Sequence, residues 1–282
     1  MKAREPDRRT IRGWKWLVFG LANGCGPVVD GLVPRSWRRV IVAETGDAQV
    51  IDARPREVWL AGHIPGAVHL HWTDVTANDD RGSRGPLPLP ELAMVLEDRG
   101  VVSDAPVVVV GSGPLGDGDD GNVYWALRYM GHPDVRVLDG GLLGWVSQGG
   151  EPVDGEETAP MTEWDNVLDQ PVLADSVHVA EWDGVVLDVR SQAEYDRGHI
   201  PGAAWLEWTE VFDGERMSTE TEVRALFSAL GIASDTAVVT TCRSGIRAGH
   251  TFMVLDALGQ PDAANYVGSW RRWTAEGRPV ER

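Results

Sequence analysis

The chain contains a long internal repeat. Residues 51–67 return as residues 187–203 at a constant offset of 136 positions, and both stretches read Asp-x-Arg and then Gly-His-Ile-Pro-Gly-Ala. Solenoid repeats have periods of about 20–50 residues. Two copies at so long a period therefore indicate a duplicated domain within the 282-residue chain.

Each copy alternates apolar runs with segments of helical character. One apolar run ends in Asp52 and its counterpart in Asp188, as a buried parallel strand does before its loop. A second run covers residues 107–110 and 237–239, and the helix predicted after the latter spans residues 247–258. Strands that alternate with helices predict an α/β fold with a parallel sheet in each half.

The repeat divides the chain into four predicted segments. We expect an N-terminal extension over residues 1–33, a first domain over 34–150, a linker over 151–172 and a second domain over 173–282. The linker is rich in Glu, Asp and Pro. The duplicated Gly-His-Ile-Pro-Gly stretch predicts a tight turn, because glycine and proline set backbone angles there.

The net charge of −17 is unevenly distributed and argues against nucleic acid and anionic membranes as partners. Residues 1–39 carry nine Lys or Arg and three Asp or Glu, so the rest of the chain forms a strongly acidic body. We interpret this surface as solvated charge rather than as a specific contact.

The N-terminus allows two localisations. An apolar stretch over residues 16–22 follows Arg8-Arg9 and precedes Cys25, which resembles a bacterial lipoprotein signal. That stretch is at the short limit of the roughly 7–15 residues of a signal peptide, so we expect a cytoplasmic protein, with a lipoprotein anchored at Cys25 as the alternative. No stretch approaches the roughly 20 apolar residues of a membrane span.

The two cysteines, Cys25 and Cys242, are too few for a disulfide framework or a four-cysteine zinc site. Cys242 lies between a predicted strand and a helix, where open α/β sheets bind ligands. Backbone N–H groups of residues 243–247 can form an anion-binding nest there, and the helix N-terminus adds positive charge. With Arg243 and Arg247 alongside, this setting favours a thiolate, which is a nucleophile.

The sequence Cys242-Arg243-Ser244-Gly245-Ile246-Arg247 resembles the active-site loop of rhodaneses, and the two copies resemble tandem-domain sulfurtransferases. Asp188-x-Arg190, Gly198-His199-Ile200-Pro201-Gly202-Ala203 and their first-copy counterparts match other signatures of that family. The resemblance covers about residues 34–282. It implies two tandem rhodanese-like domains, each a parallel sheet flanked by helices.

The resemblance also implies a reaction and a set of site residues. The Cys242 thiolate takes the outer sulfur of a small anionic donor and passes it from a persulfide to cyanide or a thiol acceptor, without a metal or organic cofactor. The loop residues Arg243, Ser244, Gly245, Ile246 and Arg247 would bind the donor. Arg190 and Arg197 match arginines with which family members hold it.

Thiosulfate and 3-mercaptopyruvate compete as the implied donor. Arg243 and Arg247 favour thiosulfate, because a small dianion gains more from two arginines than a monocarboxylate does. Ser244 fits the loop of mercaptopyruvate-using members, and Asp52 and His63 stand where such enzymes are thought to place an Asp–His–Ser relay. The sequence therefore favours thiosulfate, keeps mercaptopyruvate as the main alternative and leaves another sulfane donor open as the third.

Two further readings belong to other classes. A cysteine phosphatase needs five residues between Cys and Arg, whereas four separate Cys242 from Arg247. A sulfur-carrying or partner-binding module without turnover is also compatible with the loop. Steady turnover with a small acceptor separates the enzyme from that module.

The first copy has no thiol at the matching position. Gly111 stands there, in a loop that is three residues longer and carries Asp117, Asp119 and Asp120. Such a loop cannot form a persulfide and repels anions. We therefore expect residues 34–150 to be a catalytically inactive domain.

Overall fold

The computed structural model describes residues 36–79, 83–165 and 172–282. The strands of the first half are β1 (Ile41–Val42), β2 (Gln49–Asp52), β3 (Val68–His69), β4 (Thr76–Asn78), β5 (Arg84–Pro86), β6 (Val107–Val110) and β7 (Val135–Leu138). Its helices are α1 (Trp37–Val40), α2 (Arg56–Ala61), α3 (Trp72–Val75), α4 (Leu89–Asp98), α5 (Asp119–Tyr129) and α6 (Gly141–Ser147).

The second half repeats this order of elements. Its strands are β8 (Leu173–Ala174), β9 (Val185–Asp188), β10 (Ala204–Trp205), β11 (Phe212–Asp213), β12 (Arg216–Met217), β13 (Val238–Thr241) and β14 (Ala263–Tyr266). Its helices are α7 (Ser176–Ala180), α8 (Gln192–Asp196), α9 (Glu220–Ala229), α10 (Ile246–Ala257) and α11 (Ser269–Ala275).

Each half contains a five-stranded parallel sheet with the same strand order. The order is β1-β7-β6-β2-β3 in the first half and, read from the matching edge, β8-β14-β13-β9-β10 in the second. The central strands β6 and β13 are buried at every position, as parallel strands are when helices cover both faces. The predicted α/β class, with a parallel sheet in each half, is confirmed.

The two halves pack through the helices that follow their central strands. Helices α5 and α10 are buried along almost their whole length. Gly121 and Gly249 occupy equivalent positions and let the backbones touch: a Cβ on Gly121 would lie 2.1 Å from the Cα of His250. One apolar cluster extends through both halves, with Trp125 and Phe252 among its members. The halves therefore share a core.

Polar groups are also buried between these two helices. The Arg128 Nε lies 3.3 Å from a carboxylate oxygen of Asp256, and the Tyr124 hydroxyl donates to the same oxygen at 2.5 Å. Arg128 and Asp256 occupy equivalent positions of the repeat. The duplicated helices thus carry opposite charges where they meet, which pairs them with each other.

Each half extends an antiparallel hairpin onto the other half. In the β4–β5 hairpin of the first half, Asp79 pairs with Arg272 of α11 at 2.6 Å. In the β11–β12 hairpin of the second half, Arg216 pairs with Asp139 at 3.3 Å, and the Met217 N–H donates to Asp139 at 2.8 Å. Each half therefore contacts the other half through its own hairpin.

The described part of the predicted linker, residues 151–165, lies against the first half. Val153 forms a β-bridge with His63, and the Trp164 indole donates to the carbonyl of Met130 at 3.2 Å. The predicted N-terminal extension and Cys25 lie outside the described residues. Within the described part of the chain, every helix is too short or too polar to cross a membrane.

Candidate active site

Cys242 lies at the carboxyl edge of the second sheet. It directly follows β13, and α10 begins four residues later, so the residues between them form the turn that sets the thiol. The side chain is 1% exposed. The thiol therefore sits at the base of the loop, where the predicted strand–loop–helix order places it.

Backbone amides of the loop point at the sulfur. The N–H of Gly245 donates to Cys242 Sγ at 3.0 Å, and that of Ser244 donates at 3.4 Å. Gly245 has φ +85° and packs so tightly that a Cβ would lie 2.6 Å from the Cα of Val267. Only glycine meets both conditions. The geometry is that of an anion-binding nest around a sulfur atom.

The beginning of α11 supports the same loop from behind. The hydroxyl of Ser269 accepts from the Cys242 N–H at 3.1 Å and donates to the carbonyl of Tyr266 at 2.6 Å. The N–H groups of Trp270 and Arg271 donate to the carbonyls of Cys242 and Arg243, both at 3.1 Å. Ser269 has φ +49°, a strained angle for a non-glycine residue, which persists only because the surrounding contacts hold the backbone there.

The loop arginine Arg247 forms an ion pair with Glu194 at the beginning of α8. Its two terminal nitrogens lie 2.8 and 3.1 Å from the two carboxylate oxygens. Burial alone would raise the pKa of Glu194, but the hydrogen bonds from Arg247 outweigh it and hold this pKa at about 2. Burial lowers the pKa of Arg247, but the hydrogen bonds to Glu194 and the charge of Cys242 raise it by more. The pKa of Arg247 therefore lies above its ordinary value. Arg243 is exposed.

Arg190 is buried and binds within its own turn. Its guanidinium donates to both carboxylate oxygens of Asp188, at 2.9 and 2.6 Å, and to the carbonyl of Gly198 at 2.8 Å. Arg54 makes the same contacts with Asp52 and Gly62 in the half without a thiol. This repetition favours a structural role for Arg190 over the expected role in donor binding.

The other residues that were expected to bind the donor differ in their exposure to solvent. Arg197 is exposed at the carboxyl end of α8. Ser244 is half-buried, and Ile246 is buried as the first residue of α10. The structure therefore brings Cys242, Ser244 and Gly245 together through sulfur contacts, with Arg247 beside them.

Asp52 and His63 are held within the first half. Asp52 binds Arg54, as described, and Nδ1 of His63 lies 2.8 Å from the carbonyl of Trp59. His199 repeats this contact with Tyr195 at 3.1 Å. No hydrogen bond in the described part of the chain links Asp52 or His63 to Ser244. The arrangement favours the structural interpretation of the duplicated histidine over the relay.

The loop of the first half is filled by its own carboxylates. Asp119 accepts from the N–H and hydroxyl of Ser112 at 3.1 and 2.7 Å, and Asp120 accepts from the N–H of Gly121 at 2.7 Å. A Cβ on Gly111 would lie 2.5 Å from the side chain of Asp120. Asp120 therefore occupies the space that corresponds to the cysteine side chain in the second half.

These buried carboxyls predict a pH-dependent stability. Burial raises the pKa of Asp120 from 3.8 to about 6, so the native state binds this proton more tightly than the unfolded state does. Stability then falls as pH rises from about 4 to 6. Asp120→Asn keeps the acceptor for Gly121 and should raise thermal stability at pH 8 by on the order of 2–3 kcal/mol.

The control for this prediction is Asp98→Asn, because Asp98 is exposed on α4. Thermal unfolding of both variants and of the unchanged protein is measured from pH 4 to 8. We expect the gain of Asp120→Asn to disappear near pH 4 and Asp98→Asn to show no such trend. A gain that is equal at all pH values would contradict the account.

Two residues of the site, Glu194 and Ser269, were not predicted from the sequence. Ser191 and Glu194 do form the capping box that their spacing indicates, but the pairing of Glu194 with Arg247 spans 53 residues. Ser269 supports Cys242 from 27 residues away. Among the described residues, no three His, Cys, Asp or Glu side chains are arranged to hold a metal ion.

Comparisons with known proteins agree with this geometry. The family model of the rhodanese-like domain matches the chain twice, at residues 42–148 and 172–276. The chain is 33% identical to the sulfur carrier protein TtuD of Thermus thermophilus, over 75% of this chain and 82% of that one. It is 30% identical to the thiosulfate sulfurtransferase of Cricetulus griseus, over 97% and 95% respectively.

A solved structure extends the likeness to three dimensions. The crystal structure of SseA from Escherichia coli, described as a 3-mercaptopyruvate sulfotransferase, superposes with a TM-score of 0.69 and 27% identity. The match covers 80% of this chain and 93% of that one. The duplicated fold, the thiol loop and the two family matches together establish that this chain belongs to the rhodanese family of sulfurtransferases.

Proposed function

We propose that the protein transfers the outer sulfur of thiosulfate to cyanide or a thiol through a persulfide on Cys242. The observation that carries this proposal is the pair of N–H groups, from Gly245 and Ser244, that point at the Cys242 sulfur. Such donors stabilise negative charge on the sulfur both before and after it accepts a second sulfur atom.

The proposed reaction has two displacements. The Cys242 thiolate attacks the outer sulfur of thiosulfate; a sulfur–sulfur bond forms, and sulfite leaves with the electron pair of the broken bond. The acceptor then attacks the terminal sulfur of the persulfide, and the Cys242 thiolate is released with its electron pair. Neither step needs an oxidant, and sulfite is already a stable anion that requires no proton.

The placement of Asp52 and His63 supports thiosulfate over mercaptopyruvate. A mercaptopyruvate donor leaves an enolate, whose protonation the relay to Ser244 would assist. Both relay candidates are instead bound to groups of the first half, Arg54 and the carbonyl of Trp59. A donor whose leaving group needs no proton suits this site better.

A side-by-side measurement of the two donors tests the proposal. Purified full-length protein is given cyanide with thiosulfate or with 3-mercaptopyruvate, and thiocyanate formation is followed. We expect a higher kcat/KM for thiosulfate. A higher value for mercaptopyruvate would establish the alternative donor. One sulfur loaded per chain, without turnover by any acceptor, would instead identify a sulfur carrier.

A further inference from the structure

The hairpin of the first half is fixed to the helix that supports the thiol loop. Asp79, in the turn of the β4–β5 hairpin, pairs with Arg272 of α11 at 2.6 Å. The first residues of α11 in turn bind the backbone of Cys242 and Arg243, through Ser269, Trp270 and Arg271. The hairpin therefore has a fixed position relative to the loop.

Arg84, the first residue of β5, is a cation in that hairpin. Its guanidinium lies over the ring of Trp72, 4.0 Å from the centroid, which fixes its plane. Burial and the charge of Arg271 lower the pKa of Arg84, and the charge of Cys242 raises it. The thiol of the second half and a second arginine are thus the charged neighbours of this side chain.

The other hairpin also has an arginine at the beginning of its second strand, and a comparison with it shows what is unusual about Arg84. Arg216 is the first residue of β12 and pairs across the halves with Asp139. In the repeat, Arg216 aligns with Gly85 and Arg84 aligns with Glu215, so the second half has no arginine at the position of Arg84. Unlike Arg216, Arg84 forms no ion pair with any described residue.

Two of the other arginines near the site are already engaged. Arg247 is held by both oxygens of Glu194, and Arg190 is held by both oxygens of Asp188. Binding an anion through either would compete with a short bidentate ion pair. Arg84 is half-buried and has no carboxylate partner in the described part of the chain, so its guanidinium is better suited to an incoming anion.

We infer that Arg84, supplied by the half without the thiol, binds the anionic sulfur donor at Cys242. The guanidinium holds the oxygens of a sulfur oxyanion such as thiosulfate while its outer sulfur faces the thiol. This inference rests on the proposed function. It gives the inactive half a direct part in the reaction, as the source of the donor-binding cation.

Alkylation of Cys242 tests whether Arg84 contributes positive charge at the thiol, and it does so without sulfur transfer. The thiol is reacted with anionic iodoacetate and with neutral iodoacetamide, and modification of the Cys242 peptide is followed by mass spectrometry. A change in the ionisation or access of the thiol affects both reagents, so the ratio of the two rates reports the local charge. We expect Arg84→Gln to lower the iodoacetate/iodoacetamide ratio several-fold and Arg84→Lys to retain most of it.

The control is Arg216→Gln, which removes the same charge from the first residue of β12 in the other hairpin. Its alkylation ratio should equal that of the unchanged protein. In the sulfur-transfer assay, Arg84→Gln should raise KM for thiosulfate roughly tenfold. An unchanged ratio in Arg84→Gln, or an equal fall in Arg216→Gln, would overturn the inference. Failure of the proposed function would instead abolish thiosulfate turnover in the unchanged protein while leaving the alkylation ratios as expected.

Discussion

Gly121→Ala is expected to destabilise the protein by about 3 kcal/mol or more, because it separates the two halves where their backbones touch. The added Cβ would lie 2.1 Å from the Cα and 2.6 Å from the backbone nitrogen of His250. Overpacking a core costs about 1–3 kcal/mol when side chains can yield. Here the obstacle is the backbone of another helix, so α5 and α10 must move apart.

Two further glycines turn this expectation into a graded series. A Cβ on Gly249 would lie 2.9 Å from the Cα of Asn122, so Gly249→Ala should cost less than Gly121→Ala. Gly85 has no atom within 4 Å of the added carbon, so Gly85→Ala should change stability by less than about 0.5 kcal/mol. Thermal unfolding ranks the three variants, and a Tm of Gly121→Ala equal to that of the unchanged protein would refute this packing.

The features that the sequence predicted are those encoded locally and then repeated. The apolar runs that end in Asp52 and Asp188 form strands β2 and β9, because the periodicity of a buried strand is contained in a few consecutive residues. The helix expected over residues 247–258 is α10, Ile246–Ala257, and Gly259 follows it at φ +71°. The loop at Cys242 follows from the same local order of strand, turn and helix.

The features that the sequence did not predict depend on contacts between distant segments. Glu194 faces Arg247, and Asp79 faces Arg272, only because helices and hairpins of different segments meet. Arg84 differs from Arg216 because it has no ion pair with a described residue, whereas Arg216 pairs with Asp139. No local pattern around Arg84 signals this difference, since it becomes visible only when the reciprocal hairpins are compared in three dimensions.

Cys242→Ser is expected to abolish sulfur transfer while leaving the fold intact. A serine hydroxyl can accept the hydrogen bonds from Gly245 and Ser244, but it is not a thiolate at neutral pH and cannot carry the second sulfur atom. Thiocyanate formation should fall to the background without protein, and thermal unfolding should change little. Cys25→Ser is the matched control and should keep the activity of the unchanged protein.

The persulfide itself is the central claim, and intact-mass spectrometry with peptide mapping measures it most directly. The full-length protein is incubated with thiosulfate, freed of the donor and then analysed before and after addition of cyanide. We predict a gain of one sulfur atom, located on the peptide that contains Cys242 and removed by cyanide. The gain should be absent in Cys242→Ser and present in Cys25→Ser. A sulfur atom bound in Cys242→Ser, or turnover of thiosulfate without any sulfur on Cys242, would contradict the mechanism.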